Sequence, residues 1–331
     1  VGMMGAYRPF ADNYDPLIAP PLEQALAAMA LLRYGQTPTI DPAKAAAALV
    51  SAQQILRDLA ETTVVEESPL QDPVAAAAII YAITERPAVC GDAVIARLFD
   101  EAVDSILKQP ESTNRISAHG RALIAGALCR VLLMKDDRPA VAATLDAKTV
   151  RTVLDGAWQS AAEHQRVALL PWIGWAEADY ARATGQALAH ADDLRLMRDV
   201  LNRSRIDGND VPPDLLGGLA LTGTSTVADR PAADAQTVRP AAWLASIMRN
   251  EQIIPPGQQA AALNDHLLTM RFIVQLTPRQ TVLATFRNPQ RAMGGVRAAS
   301  WDQSQPVPAQ ALALITAVET LQAMQTTVDG P

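Results

Sequence analysis

The chain repeats a helix-opening signal, and this signal constrains its fold more than any other feature. Asp41-Pro42 and Asp72-Pro73 each place a capping carboxylate ahead of a proline that suits the first helical position. Apolar stretches of about 12–20 residues follow such signals and are joined by short connections, so neighbouring helices run antiparallel as hairpins. Eleven helices are predicted, over residues 22–34, 42–59, 73–85, 92–108, 117–134, 146–163, 166–184, 191–203, 241–250, 258–275 and 308–324.

Small aliphatic residues dominate the predicted core. Apolar residues make up 49% of the chain, charged residues 19% and aromatic residues only 4%, a composition typical of a folded, soluble protein. Alanine has the highest helix propensity and lets helices pack closely. No sequence repeat of fixed period is found, which favours a curved or closed ring of hairpins over an open solenoid. We expect one domain over residues 1–331.

Three segments depart from the helical pattern. Prolines break residues 1–21, which are predicted to form an ordered N-terminal arm without a helix. Residues 206–240 are rich in Gly, Pro, Asp and Thr and are predicted to be a long irregular loop, of the kind that is often functional or mobile. Residues 280–286 and 292–298 are β-prone and flank the turn sequence Asn288-Pro289, so they predict a short β-hairpin.

The late segment FRNPQRAMGGVRAASWD (residues 286–302), followed by QALALITAVE (residues 310–319), resembles repeats of the α/α-toroid superfamily. That superfamily includes squalene-cyclase and prenyltransferase-like proteins and, more distantly, carbohydrate-active toroids. The likeness is concentrated over residues 280–325 and implies an all-α ring or incomplete α/α toroid of antiparallel helical hairpins. In such a ring, the loop before an inner helix opens into a central cavity.

The best-known chemistries of that superfamily lack their motifs in this chain. Triterpene cyclases carry an Asp-rich protonation motif, whereas Asp302 stands alone between Trp301 and Gln303. Protein prenyltransferases hold zinc with an Asp, a Cys and a His, and no such grouping surrounds Cys90 or Cys129. The resemblance therefore implies the scaffold and argues against these reactions.

Trp301 and Asp302, with Arg297 and Arg287, form the first candidate site. In a toroid the indole could stack on a sugar ring, with the two arginines binding substrate, while Asp302 acts as an acid or base. The structural alternative is that Asp302 caps the following helix region and Trp301 closes the core.

The densest aromatic and acidic cluster forms the second candidate site. Trp172 and Trp175 are three residues apart on one predicted helical face, with Glu163 before them and Glu177 after. Rings that stack on sugars and carboxylates that transfer protons line carbohydrate sites, so Glu163 and Glu177 are candidate catalytic residues. The alternative is that both tryptophans fill the core. Tyr14, in the N-terminal arm, could reach over the cavity mouth and bind substrate or could plug one end of the ring.

Several partners and cofactors are disfavoured. The net charge of −7 argues against nucleic-acid binding. The histidines show no metal-ligand spacing, no phosphate-binding or dinucleotide-binding glycine motif is present, and we predict neither a metal nor a cofactor. No run reaches the roughly 18 apolar residues of a membrane span. The two cysteines are predicted to be buried thiols, with one disulfide as the alternative.

The chain begins with Val, from which we expect that an upstream segment was removed; this leaves a periplasmic or secreted compartment open. Three functions remain. The first is a carbohydrate- or polyol-directed enzyme or binding protein that uses the central cavity for a small molecule or oligosaccharide. The second is a non-catalytic helical interaction or scaffold domain with a protein partner. An isoprenoid-binding toroid is the third, and a chain this poor in aromatics fits it badly.

Overall fold

The computed structural model describes residues 2–62, 68–108, 116–134, 140–143, 145–208, 211–221 and 232–329. These residues are mostly helical, as predicted, and each of the eleven predicted helices overlaps an observed one. The α-helices are α1 (Pro21–Gly35), α2 (Pro42–Thr62), α3 (Pro73–Glu85), α4 (Ala93–Leu107), α5 (Ala118–Leu133), α6 (Ala147–Gln159), α7 (Trp172–Thr184), α8 (Ala191–Ser204), α9 (Val238–Ser246), α10 (Gln259–Leu276), α11 (Gln280–Leu283), α12 (Pro289–Ala292) and α13 (Val307–Asp329). The strands are β1 (Met4–Arg8) and β2 (Asn13–Ile18).

The chain divides into two compact units. Unit 1 comprises Pro20–His190 with Val1–Met3, and unit 2 comprises Ala191–Pro331 with Met4–Ala19. The boundary falls at the start of α8, upstream of the irregular segment 206–240. A single domain over residues 1–331 stays a prediction.

Unit 1 is built in two layers. Helices α1, α3, α5 and α7 pack side by side as the first layer, while α2, α4 and α6 pack against it as the second. Ten consecutive residues of α3, from Ala75 to Thr84, are buried, so this helix is covered on all sides. Helical hairpins therefore stack in unit 1, and the closed or incomplete ring stays a prediction.

The predicted capping signals account for where these helices begin. The side chain of Asp72 accepts a hydrogen bond from Val74 N at 2.9 Å, and Pro73 occupies the first position of α3. Asp92 caps α4 in the same way. Cys129 is buried in α5, Cys90 is half-buried, and both are free thiols.

Close packing of α3 against α5 depends on a glycine. A Cβ at position 126 would lie 2.0 Å from Tyr81 Oη and 2.8 Å from Tyr81 Cζ. The Tyr81 hydroxyl is buried and forms no hydrogen bond with the described residues. Gly126 is therefore required sterically, since only a residue without Cβ lets the Tyr81 ring reach the backbone of α5.

Gly126→Ala should lower the free energy of unfolding by about 1–3 kcal/mol, because the added methyl group overpacks the core. Gly156→Ala is the matched control, since nothing lies within 4 Å of a Cβ there and alanine should stabilise α6 by about 0.5–1 kcal/mol. Urea denaturation followed by circular dichroism measures both. Adding Tyr81→Phe to Gly126→Ala should recover part of the loss, and equal stability of the two alanine variants would contradict this packing role.

The sheet lies in unit 2, at the N-terminus. β1 and β2 form an antiparallel hairpin with the pairs Tyr7↔Tyr14 and Arg8↔Asn13, and Asp12 adopts the left-handed conformation (φ 52°) at the turn. The prediction that the N-terminal arm over residues 1–21 is an ordered loop is therefore wrong over residues 4–18, while the expectation that these residues form no helix is confirmed. Pro16 is tolerated because it lies on the exposed edge strand beside a register shift in β1.

The predicted β-hairpin at residues 280–298 is also wrong. Two short helices, α11 and α12, occupy this segment instead. Asn288 Oδ1 accepts a hydrogen bond from Arg291 N at 3.3 Å, and Pro289 takes the first helical position. The dipeptide read as a turn between strands thus opens a helix.

Helices α9, α10 and α13 pack together in unit 2. Within α13, residues Val307–Gln325 are long and apolar enough to cross a membrane, with a mean hydropathy of 1.2, but 56% of that stretch is buried in the structure. Such burial is what the core helix of a globular protein shows.

Part of the predicted loop 206–240 is ordered against α10. Gly217 (φ 88°) approaches so closely that a Cβ would lie 2.0 Å from the Leu268 carbonyl oxygen. The last residues of the predicted loop are helical: a short 3₁₀ helix (Ala235–Thr237) leads directly into α9, which starts at Val238. Residues 209–210 and 222–231 of the predicted loop lie outside the described part of the chain.

A buried histidine links α10 to α13. Thr320 donates its hydroxyl hydrogen to the Thr316 carbonyl, so Thr320 Oγ1 accepts from His266 Nε2 at 2.8 Å. His266 therefore carries its proton on Nε2, and its Nδ1 has no partner among the described residues. Burial, together with the charge of Arg205, lowers the pKa of His266 from 6.5 to about 4.

This lowered pKa makes the stability of unit 2 depend on pH. The unfolded chain binds a proton at His266 near pH 6.5 and the folded chain only near pH 4, so stability is complete above pH 6.5 and falls toward pH 4. The loss should approach ~3 kcal/mol, measured by urea denaturation at a series of pH values. His266→Gln should flatten this slope, whereas the exposed His164→Gln should not; equal slopes in both variants would contradict the assignment.

Candidate functional site

Four charged side chains meet inside unit 1, near the carboxyl-terminal turns of the first-layer helices. Arg33 lies on α1, Glu85 ends α3, Arg130 lies on α5 and Asp179 lies on α7. With Arg182 of α7, they form what we term the buried ion-pair network. None of these residues is among the candidates drawn from the sequence.

Glu85 is the centre of the network. Arg33 Nε donates to Glu85 Oε2 at 3.1 Å, and the Nη2 groups of Arg33 and Arg130 both donate to Glu85 Oε1. The side chains of Arg33, Arg130 and Glu85 are only 15%, 11% and 9% exposed. Burial alone would raise the pKa of Glu85, but the guanidiniums of Arg130 and Arg33 outweigh it and hold that pKa below its ordinary value.

The network continues to α7. Arg130 Nε lies 3.8 Å from Asp179 Oδ2, and Asp179 also pairs with Arg182 one helical turn later. Asp179 is 3% exposed. One chain of ion pairs thus connects all four helices of the first layer.

The predicted aromatic residues line this network. The guanidinium carbon of Arg33 lies 5.1 Å from the ring centroid of Trp175, a cation–π distance. Trp175 packs edge-on against Trp172, with their centroids 5.3 Å apart, and Trp172 Nε1 donates to His119 Nε2 at 2.9 Å. Trp172 is 2% and Trp175 7% exposed, so these two predicted sugar-stacking residues lie together in the core.

Glu177 belongs to a neighbouring cluster between α6 and α7. Its Oε1 accepts from Trp158 Nε1 at 2.8 Å, and its Oε2 accepts from Arg151 Nη1 at 3.3 Å. His190 stacks on the Trp158 ring at 4.5 Å, with its Nε2 3.6 Å from Asp155 Oδ1. Burial lowers the pKa of the Arg151 guanidinium, but Asp155 and Glu177 outweigh it and raise that pKa.

Three of the predicted site residues are exposed: Glu163 in unit 1, and Trp301 and Asp302 in unit 2. Glu163 is exposed at the start of a 3₁₀ helix (Glu163–Leu169). Trp301 is 64% exposed, so the alternative that it closes the core is wrong. Asp302 Oδ1 accepts from Ser304 N at 2.9 Å and Ser304 Oγ at 2.8 Å, which fixes a turn before α13.

Of the other three candidates in unit 2, two have side-chain contacts and one is exposed. Arg297 donates to the carbonyls of Gln275 and Leu276, each at 2.8 Å, and so is committed to the end of α10. Arg287 is exposed. Tyr14 packs against Tyr7 in the hairpin, with the ring centroids 5.1 Å apart.

The buried network left a weak signal in the sequence. Arg130 sits in the otherwise apolar run ALCRVLL (residues 127–133), and Arg33 and Glu85 each end such a run. A charge within an apolar helical stretch indicates a buried ion pair, since unpaired charges are almost never buried. The pairing itself joins residues 45 and 52 positions apart, which no local pattern reveals.

The chain matches no protein-family model, no curated protein and no solved structure. Among the described residues, no group of three or more His, Cys, Asp or Glu side chains is placed to hold a metal ion. In the part of unit 1 that the structure describes, each of the buried acids Glu85, Glu177 and Asp179 faces at least one guanidinium.

Glu85→Gln should lower the free energy of unfolding of unit 1 by about 3–5 kcal/mol, because it leaves two buried guanidiniums without their shared carboxylate. Glu101→Gln is the matched control. Glu101 forms an exposed pair with Arg97 on α4, and its loss should cost less than about 1 kcal/mol. Denaturant melts of the two variants measure the difference, and a Glu85→Gln variant as stable as Glu101→Gln would show that the network carries no stability.

Proposed function

We propose that the chain is a non-catalytic helical interaction protein. The hydrogen bonds of Glu177 support this most directly, because Glu177 is the candidate acid that lies nearest the aromatic cluster. Glu177 is 1% exposed, and both of its oxygens accept hydrogen bonds from Trp158 or Arg151. A general acid or base must come within hydrogen-bonding reach of its substrate, and Glu177 has no free face.

The two other candidate acids lie on the surface. Glu163 and Asp302 are exposed, and Asp302 Oδ1 holds a turn through Ser304. Catalytic acids commonly lie in clefts lined by several convergent groups. A substrate at either position would therefore meet an exposed surface and not an enclosed site.

Membership of the α/α-toroid superfamily is part of the same proposal. The two-layer stacking of hairpins in unit 1 supports it, and so does the likeness over residues 280–325. Such a scaffold without a reactive centre suits a role in binding other proteins. The isoprenoid alternative rests on the resemblance alone.

A second candidate is the binding of a carbohydrate or polyol at Trp301. The indole is 64% exposed and adjoins the turn fixed by Asp302, and Arg297 donates to Gln303 Oε1 in that turn at 3.1 Å. Exposed aromatic faces are suited to stacking on sugar rings. This candidate keeps the predicted ligand class and replaces a central cavity with a surface contact.

A thermal-shift screen against neutral and acidic oligosaccharides, with isoprenoid diphosphates as the contrasting set, separates these proposals. An interaction protein should show no shift, whereas a ligand at a hundredfold excess over its Kd would add about 2.7 kcal/mol of stability. A shift that Trp301→Ala abolishes would establish the second candidate instead.

The same assay carries a matched pair of variants. Glu177→Gln should lower stability by about 1–3 kcal/mol through the weakened Arg151 and Trp158 contacts, and the exposed Glu163→Gln should change it by less than about 0.5 kcal/mol. A Glu177→Gln variant of unchanged stability that has lost a ligand-induced shift would overturn the non-catalytic proposal.

A further inference from the structure

Two buried hydrogen-bond donors of unit 1 have no acceptor among the described residues. They are the hydroxyl of Tyr81 on α3 and the Nε–H of Arg130 on α5. Tyr81 is 1% exposed, and the Arg130 side chain is 11% exposed. Burying a polar group without a hydrogen bond is costly, so buried donors in folded proteins are paired with protein atoms or with ordered water. These two donors therefore need an acceptor that the described residues do not supply.

The two donors lie close together. Gly126 and Arg130 are one turn apart on α5, and the Tyr81 hydroxyl packs against the backbone at Gly126. The guanidinium carbon of Arg130 lies 5.7 Å from the ring centroid of Tyr81. The hydroxyl and Nε nevertheless form no hydrogen bond with each other. One small acceptor placed between them could therefore serve both.

A carboxylate of α7 lies beside both donors. Asp179 Oδ1 pairs with Arg182, whereas Asp179 Oδ2 lies 3.8 Å from Arg130 Nε, too far for a direct hydrogen bond. Burial and then the charge of Asp179 raise the pKa of Tyr81 well above its ordinary value, so the hydroxyl keeps its proton and can donate it. Polar groups separated by more than about 3.5 Å are often joined through a water molecule.

We propose that a buried water molecule bridges Tyr81 Oη, Arg130 Nε and Asp179 Oδ2. Its oxygen accepts one hydrogen bond from Tyr81 and one from Arg130, and it donates one to Asp179. About three hydrogen bonds are usual for a buried water. The ligand has to be neutral, because Asp179 repels an anion and Arg130 repels a cation. It also has to both accept and donate, which water does within the size of one heavy atom.

This water joins α3, α5 and α7 one helical turn away from the shared carboxylate of Glu85. It extends the buried ion-pair network without displacing any of its ion pairs, and it explains why position 81 carries a hydroxyl where a phenyl ring alone would fill the core. The inference goes beyond the proposed function. It concerns the interior of unit 1 and holds whether the exposed surface binds a protein or a sugar.

Tyr81→Phe distinguishes a bridged hydroxyl from an unpaired one by the sign of its effect. If the water accepts from Tyr81, the variant loses a buried hydrogen bond and its Tm should fall by about 2–4 °C. If the hydroxyl has no partner, removing it relieves a buried polar group and the Tm should rise. Tyr180→Phe is the matched control, since the buried Tyr180 hydroxyl donates directly to the Ala147 carbonyl at 3.2 Å. Its Tm should fall by a similar amount.

A Tm for Tyr81→Phe that equals or exceeds the wild-type value, beside a lowered Tm for Tyr180→Phe, would overturn the proposal. A crystal structure of the whole chain locates the water directly. One ordered water should lie about 2.7–3.2 Å from each of the three atoms. Absence of density at that point in a crystal that resolves other buried waters would contradict the bridge, as would a direct hydrogen bond between Arg130 Nε and Asp179 Oδ2.

Discussion

Unit 1 depends on one carboxylate shared by two guanidiniums. Glu85 ends α3, and its acceptors hold Arg33 of α1 and Arg130 of α5, from which the network reaches Asp179 of α7. The arginines lie near the carboxyl ends of their helices, where the helix dipole favours positive charge. The aligned ends of the first layer thus bring cations together, and the buried acids neutralise them. The directed ion pairs add register to a first layer in which small alanine side chains supply much of the apolar contact.

Helix positions could be predicted because their signals are local. Asp72 and Pro73 mark the start of α3 through contacts within one turn, and the same holds for α4. Strand pairing is not local, which explains the error over residues 1–21. The hairpin of residues 4–18 needs Tyr7 to pair with Gln305 as well as with β2, and the sequence around Pro16 gives no hint of that partner. In the segment 280–298, a cap at Asn288 outweighed the β propensity of its neighbours.

The sequence predicted which residue types cluster at the candidate site, but not the contacts that these residues make. Trp172, Trp175 and Glu177 do lie together on α7, as the density of aromatic and acidic residues suggested. Their role depends on partners far along the chain: Trp158 for Glu177, His119 for Trp172 and Arg33 for Trp175. Each partner takes up the polar edge or the face that a ligand would otherwise use. Local composition therefore located the aromatic and acidic cluster. Contacts with residues far along the chain determine that its role is structural.

A buried charged network and a catalytic centre place opposite demands on the same residue types. Catalysis needs a carboxylate whose proton affinity is tuned yet whose oxygen can still meet a substrate, whereas stability is greatest when every oxygen is occupied. Glu85 and Glu177 satisfy the second demand. Their oxygens are taken up by Arg33, Arg130, Arg151 and Trp158, so the buried carboxylates hold helices together, and an interaction role falls to the exposed surface and not to the buried acids.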